Sequence, residues 1–281
     1  MNFRKATGIV KIIRPSNVLI AGLTIFFGVL IFGKGLPDLF KLALLAGIAG
    51  ALIDAGGNVI NDYFDVEIDK VNKPNRPIPS GLISRGFALL IYFVLTTAGL
   101  FFASFLNEVA FGIAFFSVFV IFLYSYKLKG VPLVGNFTVA FMTGLAFVFA
   151  GSVVGNFRDS IFPFVFAFLI NFGREIVKDI EDIEGDSKAG IRTFPIVSGV
   201  ERAVFISVLV FIVLILATFV PYLVGIYNHF YALIILGVDV GLIFVIISLI
   251  KDKSRQNLNR LSNILKFEML IGLFAIYFGS F

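Results

Sequence analysis

The stretch Asn58–Gly81, NVINDYFDVEIDKVNKPNRPIPSG, decides how this chain reads. It closes an apolar run that begins near Leu39. Asp62, Asp65 and Asp69 fall at i, i+3 and i+7, and Asn61, Asp65 and Asp69 at i, i+4 and i+8. With about 3.6 residues per turn, either set shares one face of a helix end. Pro74, Pro77 and Pro79 then stop the helix, because proline lacks the N–H and restricts the residue before it. Lys70, Lys73 and Arg76 flank the acids. Oxygen ligands and positive charges therefore converge where an apolar helix meets water. That suits a divalent cation holding a phosphorylated substrate. A solvated acidic helix end with basic flanks is the plainer reading.

The pattern recurs. Asp179, Asp182 and Asp186 in KDIEDIEGDSKAGIRTFPIVSG repeat the spacing D-x2-D-x3-D, each 117 residues after its counterpart. Lys188 and Arg192 echo Lys73 and Arg76, and Pro195–Gly199 echoes Pro77–Gly81. A surface charge run has no reason to recur with its basic tail and closing turn, so the repeat weighs against the plainer reading.

Composition sets the class. Of 281 residues, 59% are hydrophobic and 15% charged, and the mean hydropathy is +1.00. A soluble domain does not look like this; a polytopic membrane protein does. Phe occurs 36 times and Trp is absent, so any interfacial aromatic belt is Tyr and Phe. Without Cys there are no disulfides, thiolate nucleophiles or Cys-based metal sites. The one histidine, His229, builds no multi-His site and falls on the far side from the acid motifs. A net charge of +5 marks cytoplasmic loops in such a chain rather than nucleic-acid binding. Met1–Ser16 is short and basic and lacks a signal-peptide cleavage site.

Nine apolar segments are read, at about 17–33, 40–63, 84–106, 108–126, 131–151, 161–178, 202–221, 229–250 and 262–281. The expected fold is an all-α membrane protein of nine transmembrane helices, in two similar four-helix halves plus a final helix. No soluble insertion separates the spans, so residues 1–281 are expected to form one domain. With the N-terminus in the cytoplasm, 20 of 23 Lys and Arg fall inside, and only Lys34, Lys41 and Arg158 fall outside. That bias places both acid motifs on the cytoplasmic side of the cell membrane and the C-terminus outside. The motifs follow the second and sixth spans, so the repeat is parallel, and the two clusters can face each other across a shared cavity.

Further polar residues are candidates for the substrate. Asn17, just after Arg14-Pro15-Ser16, is either a substrate-binding amide or a helix cap. Tyr124, Lys127 and Lys129 end the fourth span; the lysines bind a phosphate or snorkel to the interface. Arg174 and Glu175 lie one turn before the second motif, where ionisable residues pair or act. Asn58 and Lys178 complete the substrate-binding candidates. Residues 251–266 are expected to form a basic cytoplasmic loop near anionic lipid.

Two acid clusters, basic flanks and an apolar interior fit an amphiphile with a diphosphate head and a long hydrocarbon tail. Mg2+ takes oxygen ligands and shares them with substrate phosphates. It helps a diphosphate leave, and an allylic carbon then meets an acceptor in a site that excludes water. No nucleophilic side chain is needed.

At these residues the chain resembles the UbiA superfamily of intramembrane prenyltransferases. The resemblance rests on NDYFDVEIDKVNKPNRPIPSG and GREIVKDIEDIEGD and spans nearly the whole chain. Within the superfamily the chain looks most like the archaeal digeranylgeranylglyceryl phosphate synthases. These transfer a geranylgeranyl group from geranylgeranyl diphosphate to the free hydroxyl of geranylgeranylglyceryl phosphate, making the second ether bond of archaeal lipids. The resemblance implies that Asn61, Asp62, Asp65, Asp69, Asp179, Asp182 and Asp186 hold Mg2+ and diphosphate, with Asp65, Asp69, Asp182 and Asp186 catalytic. It implies that Lys73, Arg76, Lys127, Lys188 and Arg192 contact phosphate, with the choice between Lys127 and Lys129 open. The RPIPSG segment is shared with relatives that prenylate aromatic acceptors, so a quinone, chlorophyll or haem precursor is the rival acceptor. A CDP-alcohol phosphatidyltransferase needs D-G-x-x-A-R, which neither motif provides. A cation-coupled transporter places its ionisable residues near the bilayer midplane in inverted repeats, unlike these helix ends.

Overall fold

The computed structural model describes residues 3–188 and 190–281, with the side chains of residues 3–5, 71 and 72 outside that description. The side chains of Arg4 and Lys5 in the charge tally therefore lie outside that description. The described chain is helical: α1 Phe3–Ile13, α2 Pro15–Phe32, α3 Leu39–Phe64, α4 Val66–Asn72, α5 Arg85–Ala103, α6 Glu108–Tyr126, α7 Val134–Val153, α8 Phe157–Glu181, α9 Ile183–Lys188, α10 Phe194–Ser198, α11 Val200–Thr218, α12 Val220–Leu223, α13 His229–Lys251 and α14 Arg255–Gly279. Among the described residues nine helices are long and apolar enough to cross a membrane, α11 and α12 together making one. This is a multi-pass membrane protein.

Local chemistry sets the helix ends. Pro15 starts α2 at a position where its missing N–H costs nothing. Ser84, Asn107, Asn228 and Ser254 cap α5, α6, α13 and α14 with side-chain oxygens. Two spans start earlier than their hydropathy suggests. The sixth begins at Phe157, not 161, because the Asn156 side-chain oxygen accepts from Asp159 N at 3.3 Å. The ninth begins at Arg255, not 262, so the basic stretch 251–266 is mostly helix and the loop expected there shrinks to residues 252–254. Its buried Leu258, Leu261 and Leu265 fall at helical spacing among polar residues, a period that average hydropathy hides. The sequence reading also missed α1, whose Ile12 is fully buried.

The chain divides into two compact units. One runs to Lys129 and adds Ala146–Ser160; the other is Gly130–Leu145 with Ile161–Phe281. In the first unit α3 is central, packed against α2, α5 and α6. It meets α2 at Gly22 and Gly47, where a Cβ on Gly47 would stand 3.0 Å from the Gly22 carbonyl oxygen, a contact tight enough to push the helices apart by a few tenths of an ångström. In the second unit α13 packs on α14 and α11 on α13.

Candidate active site

Both acid motifs fold alike. α3 ends at Phe64, Asp65 stands alone, and α4 begins at Val66; α8 ends at Glu181, Asp182 stands alone, and α9 begins at Ile183. The Asp65 and Asp69 N–H groups donate to Asn61 and Asp65 carbonyls at 3.0 and 2.8 Å. Those of Asp182 and Asp186 donate to Lys178 and Asp182 carbonyls, both at 2.9 Å. Helical bonding thus runs through each junction and keeps the three acids of a motif in step. Downstream, Gly81 and Gly199 both adopt positive φ, 75° and 89°, as the echoed Ser-Gly turns require.

The side-chain surroundings differ. In the first motif Asp62, Asp65 and Asp69 are only 2%, 4% and 3% exposed. Such burial demands counter-charges, and three cations supply them. Arg76 Nη1 lies 3.1 Å from Asp62, 3.9 Å from Asp65 and 2.5 Å from Asp69. Arg14 pairs with Asp62, and Lys129 pairs with Asp65 and reaches the Asn61 side-chain oxygen at 3.5 Å. Burial pushes the Asp69 carboxyl above its ordinary value; Arg76 opposes this, while Asp65 and Asp62 add to it.

In the second motif Asp179 accepts from the Asn136 amide at 2.8 Å. Asp182 makes no side-chain hydrogen bond or ion pair among the described residues. Lys188 and Arg192, the counterparts of Lys73 and Arg76, are exposed and form no ion pair with an acid among the described residues. Lys178 binds Glu175 at 2.9 and 3.0 Å. Arg174 binds Glu175 at 3.1 Å and the Ser262 carbonyl at 3.1 Å. Arg174 thus braces α8 against α14, while Lys178 pairs with Glu175 within α8.

Other candidates fall as follows. Asn58 joins the first cluster: its amide donates to Ile13 O and Asp54 Oδ2, both at 3.2 Å, and accepts from Arg14 at 3.4 Å. Lys73 lines a pocket beside Asp62. Lys129 meets the acids, whereas Lys127 is exposed at the end of α6. Asn17 and Tyr124 are half-buried in α2 and α6. Three residues of the clusters escaped the sequence reading as site members. Arg14 stood only as a topology charge at a helix start. Asp54 and Asn136 are polar residues inside apolar spans, a signal that membrane sequences do offer.

The first set offers three carboxylates and the Asn61 amide oxygen, all hard donors that fit Mg2+. Among the described residues no three His, Asp or Glu side chains converge as a ready ligand group. In the first motif the carboxylates lean on basic side chains, so metal ligation requires Arg14, Arg76 and Lys129 to yield oxygens.

Comparison with known proteins extends these observations. The model of the UbiA prenyltransferase family matches residues 21–271. The chain is 40% identical over 271 residues to the digeranylgeranylglyceryl phosphate synthase of Pyrococcus furiosus, covering 95% of this chain and 96% of that one. It is 37% identical over 280 residues to the synthase of the same description in Methanobrevibacter smithii, covering 97% of each. A solved structure concerning digeranylgeranylglyceryl phosphate synthase in membranes superposes with a TM-score of 0.82 at 33% identity, over 98% of both chains. A UbiA homologue from Archaeoglobus fulgidus bound to GPP and Mg2+ shares the fold, with a TM-score of 0.73 at 20% identity over 96% of this chain and 99% of that one.

Proposed function

The chain belongs to the UbiA prenyltransferase family, and from that premise we propose that it transfers a geranylgeranyl group from geranylgeranyl diphosphate to the free hydroxyl of geranylgeranylglyceryl phosphate. The observation that carries this reading is the full-length similarity to digeranylgeranylglyceryl phosphate synthases, 40% identical in the Pyrococcus furiosus case. The two acid junctions are the residues that the chemistry needs. Asn61, Asp62, Asp65 and Asp69, and Asp179, Asp182 and Asp186, would hold Mg2+. The ion would supply positive charge that makes the diphosphate a better leaving group. Arg76 and Lys129 turn from the carboxylates to phosphate oxygens, as charge-assisted donors do. The prenyl carbon–oxygen bond breaks with its electron pair leaving on the diphosphate. The acceptor oxygen bonds to that carbon, and its proton passes to the released diphosphate. The apolar spans keep water from the allylic cation.

The same reading places the N-terminus and both junctions on the cytoplasmic side, supported by the 20-to-3 division of Lys and Arg. To test the activity, purified protein is incubated with geranylgeranyl diphosphate, Mg2+ and either geranylgeranylglyceryl phosphate or an aromatic acid. Product mass identifies the acceptor. Faster prenylation of the aromatic acid would replace this reading with the aromatic-acceptor rival.

A further inference from the structure

Two acids stand inside the spans of the second unit and belong to neither junction. Asp239 of α13 is 4% exposed and Glu268 of α14 is 8% exposed. At about 1.5 Å per residue, Asp239 lies about 15 and 18 Å from the two ends of its helix, and Glu268 about 20 and 17 Å from the ends of its own. Both therefore sit near the middle of an apolar layer about 30 Å thick, where an ionisable group is costly unless it has a task. Among the described residues neither forms an ion pair. A count of hydrogens shows what Asp239 carries. Thr218 Oγ1 of α11 lies 3.2 Å from each Asp239 oxygen. A hydroxyl has one hydrogen, and that of Thr218 goes to the Ile215 carbonyl at the shorter distance of 2.7 Å. The Tyr231 hydroxyl is spent likewise, on the Thr218 carbonyl at 2.7 Å. No donor remains for a carboxylate, whereas a carboxylic acid supplies its own hydrogen to the Thr218 oxygen and closes the network. Glu268 has no donor at all: its Oε2 is buried and accepts no hydrogen bond. Its Oε1 lies against the bare Gly241 backbone of α13, 2.0 Å from where a Cβ would stand, in a niche that a side chain there would fill.

We propose that Asp239 and Glu268 form a proton-binding site inside the membrane, each acid holding one proton. Asp239 spends its proton on Thr218 and so joins α13 to α11. Glu268, neutral, folds into the Gly241 niche and joins α14 to α13. A charged carboxylate in either place would be buried with no counter-charge, and the two acids are close enough to feel one another's charge, so ionising both would add repulsion to that cost. The groups around the pair offer no relief. Thr218 faces it from α11 and Tyr231 from α13, with the Tyr227 ring stacked 4.6 Å from that of Tyr231. Lys266, two residues before Glu268, stands about half a turn round α14. His229, at the outer start of α13, bonds the Tyr222 hydroxyl at 2.9 Å.

The test is infrared difference spectroscopy on the purified full-length protein in nanodiscs at about pH 7, where an exposed carboxyl has lost its proton. A carboxylic acid has a C=O stretch that a carboxylate lacks. Asp239→Asn and Glu268→Gln keep size and neutrality but carry no acid, and exposed Asp38→Asn is the control. Each of the two single variants should lose one carboxyl's share of the acid band, the double variant about twofold more, and Asp38→Asn none. A band unchanged by either single variant means that this acid is ionised, and overturns the proposal. So does loss of the band when Na+ replaces K+ at constant pH, which would make the pair a site for a metal cation. Gly241→Ala checks the niche: its Cβ displaces the Glu268 carboxyl, so the share of the band lost in Glu268→Gln should shift, and an unshifted band overturns the place given to Glu268. Neither acid belongs to the junctions, so failure here leaves the proposed function standing.

Discussion

In the first half of the molecule Asp62, Asp65 and Asp69 are each paired with a cation, from Arg14, Arg76 or Lys129. In the second half Asp179 is paired with the neutral amide of Asn136, and the Asp182 carboxylate has no side-chain partner among the described residues. The backbone bonds through the second and third acids of the two junctions match. A duplicated motif thus preserves local geometry while each copy takes its counter-charges from elsewhere in the chain. The consequence is electrostatic: in the first copy a metal would have to compete with three cations, whereas Asp179 and Asp182 of the second pair with no cation among the described residues.

The largest effect expected is from metal removal. Exhaustive chelation should abolish turnover, and Mg2+ should restore it, because neither motif has a Cys or His ligand for a softer ion. Full turnover after chelation would break the assignment for both halves at once.

Asp65→Asn and Asp182→Asn should each cost about a thousandfold in turnover, about 4 kcal/mol of barrier, since each removes a charge at nearly constant size. Exposed Asp38→Asn is the matched control. The two variants separate in melting temperature. Asp65→Asn strips Lys129 and Arg76 of a buried partner and should destabilise by about 1–3 kcal/mol, whereas Asp182→Asn should leave stability nearly unchanged. Equal melting temperatures would show that the cation clamp on the first motif has no energetic content.

Arg76→Gln should reduce turnover about a hundredfold and lower the melting temperature, because one guanidinium serves three buried acids. Arg192→Gln, its counterpart by sequence, should change turnover less than about threefold, as an exposed charge does. Similar losses from both would mean that the second motif acquires its clamp only with substrate, and the contrast between the halves would narrow.

Asn136→Leu is the smallest expected effect, about tenfold in turnover. It deprives Asp179 of the 2.8 Å amide bond while leaving the charge of its carboxylate. Raising Mg2+ should recover part of the loss in a steady-state titration. A loss unchanged by Mg2+ would place Asn136 in packing rather than in orienting the carboxylate.

The sequence alone determined the membrane class, the nine spans and the two acid junctions, because hydropathy and helical period are local properties that adjacent residues carry. It misplaced the start of α14, where buried leucines alternate with polar residues, and it passed over α1. It proposed Arg192 and Lys188 as equals of Arg76 and Lys73 from their order in the chain. Only the tertiary structure decided which cations meet which acids. Arg14 reaches Asp62 across 48 residues, Lys129 reaches Asp65 across 64, and Asn136 reaches Asp179 across 43. Those pairings depend on which helix faces pack together and on a left-handed turn at Arg14, and no spacing within a motif encodes the packing of a distant helix.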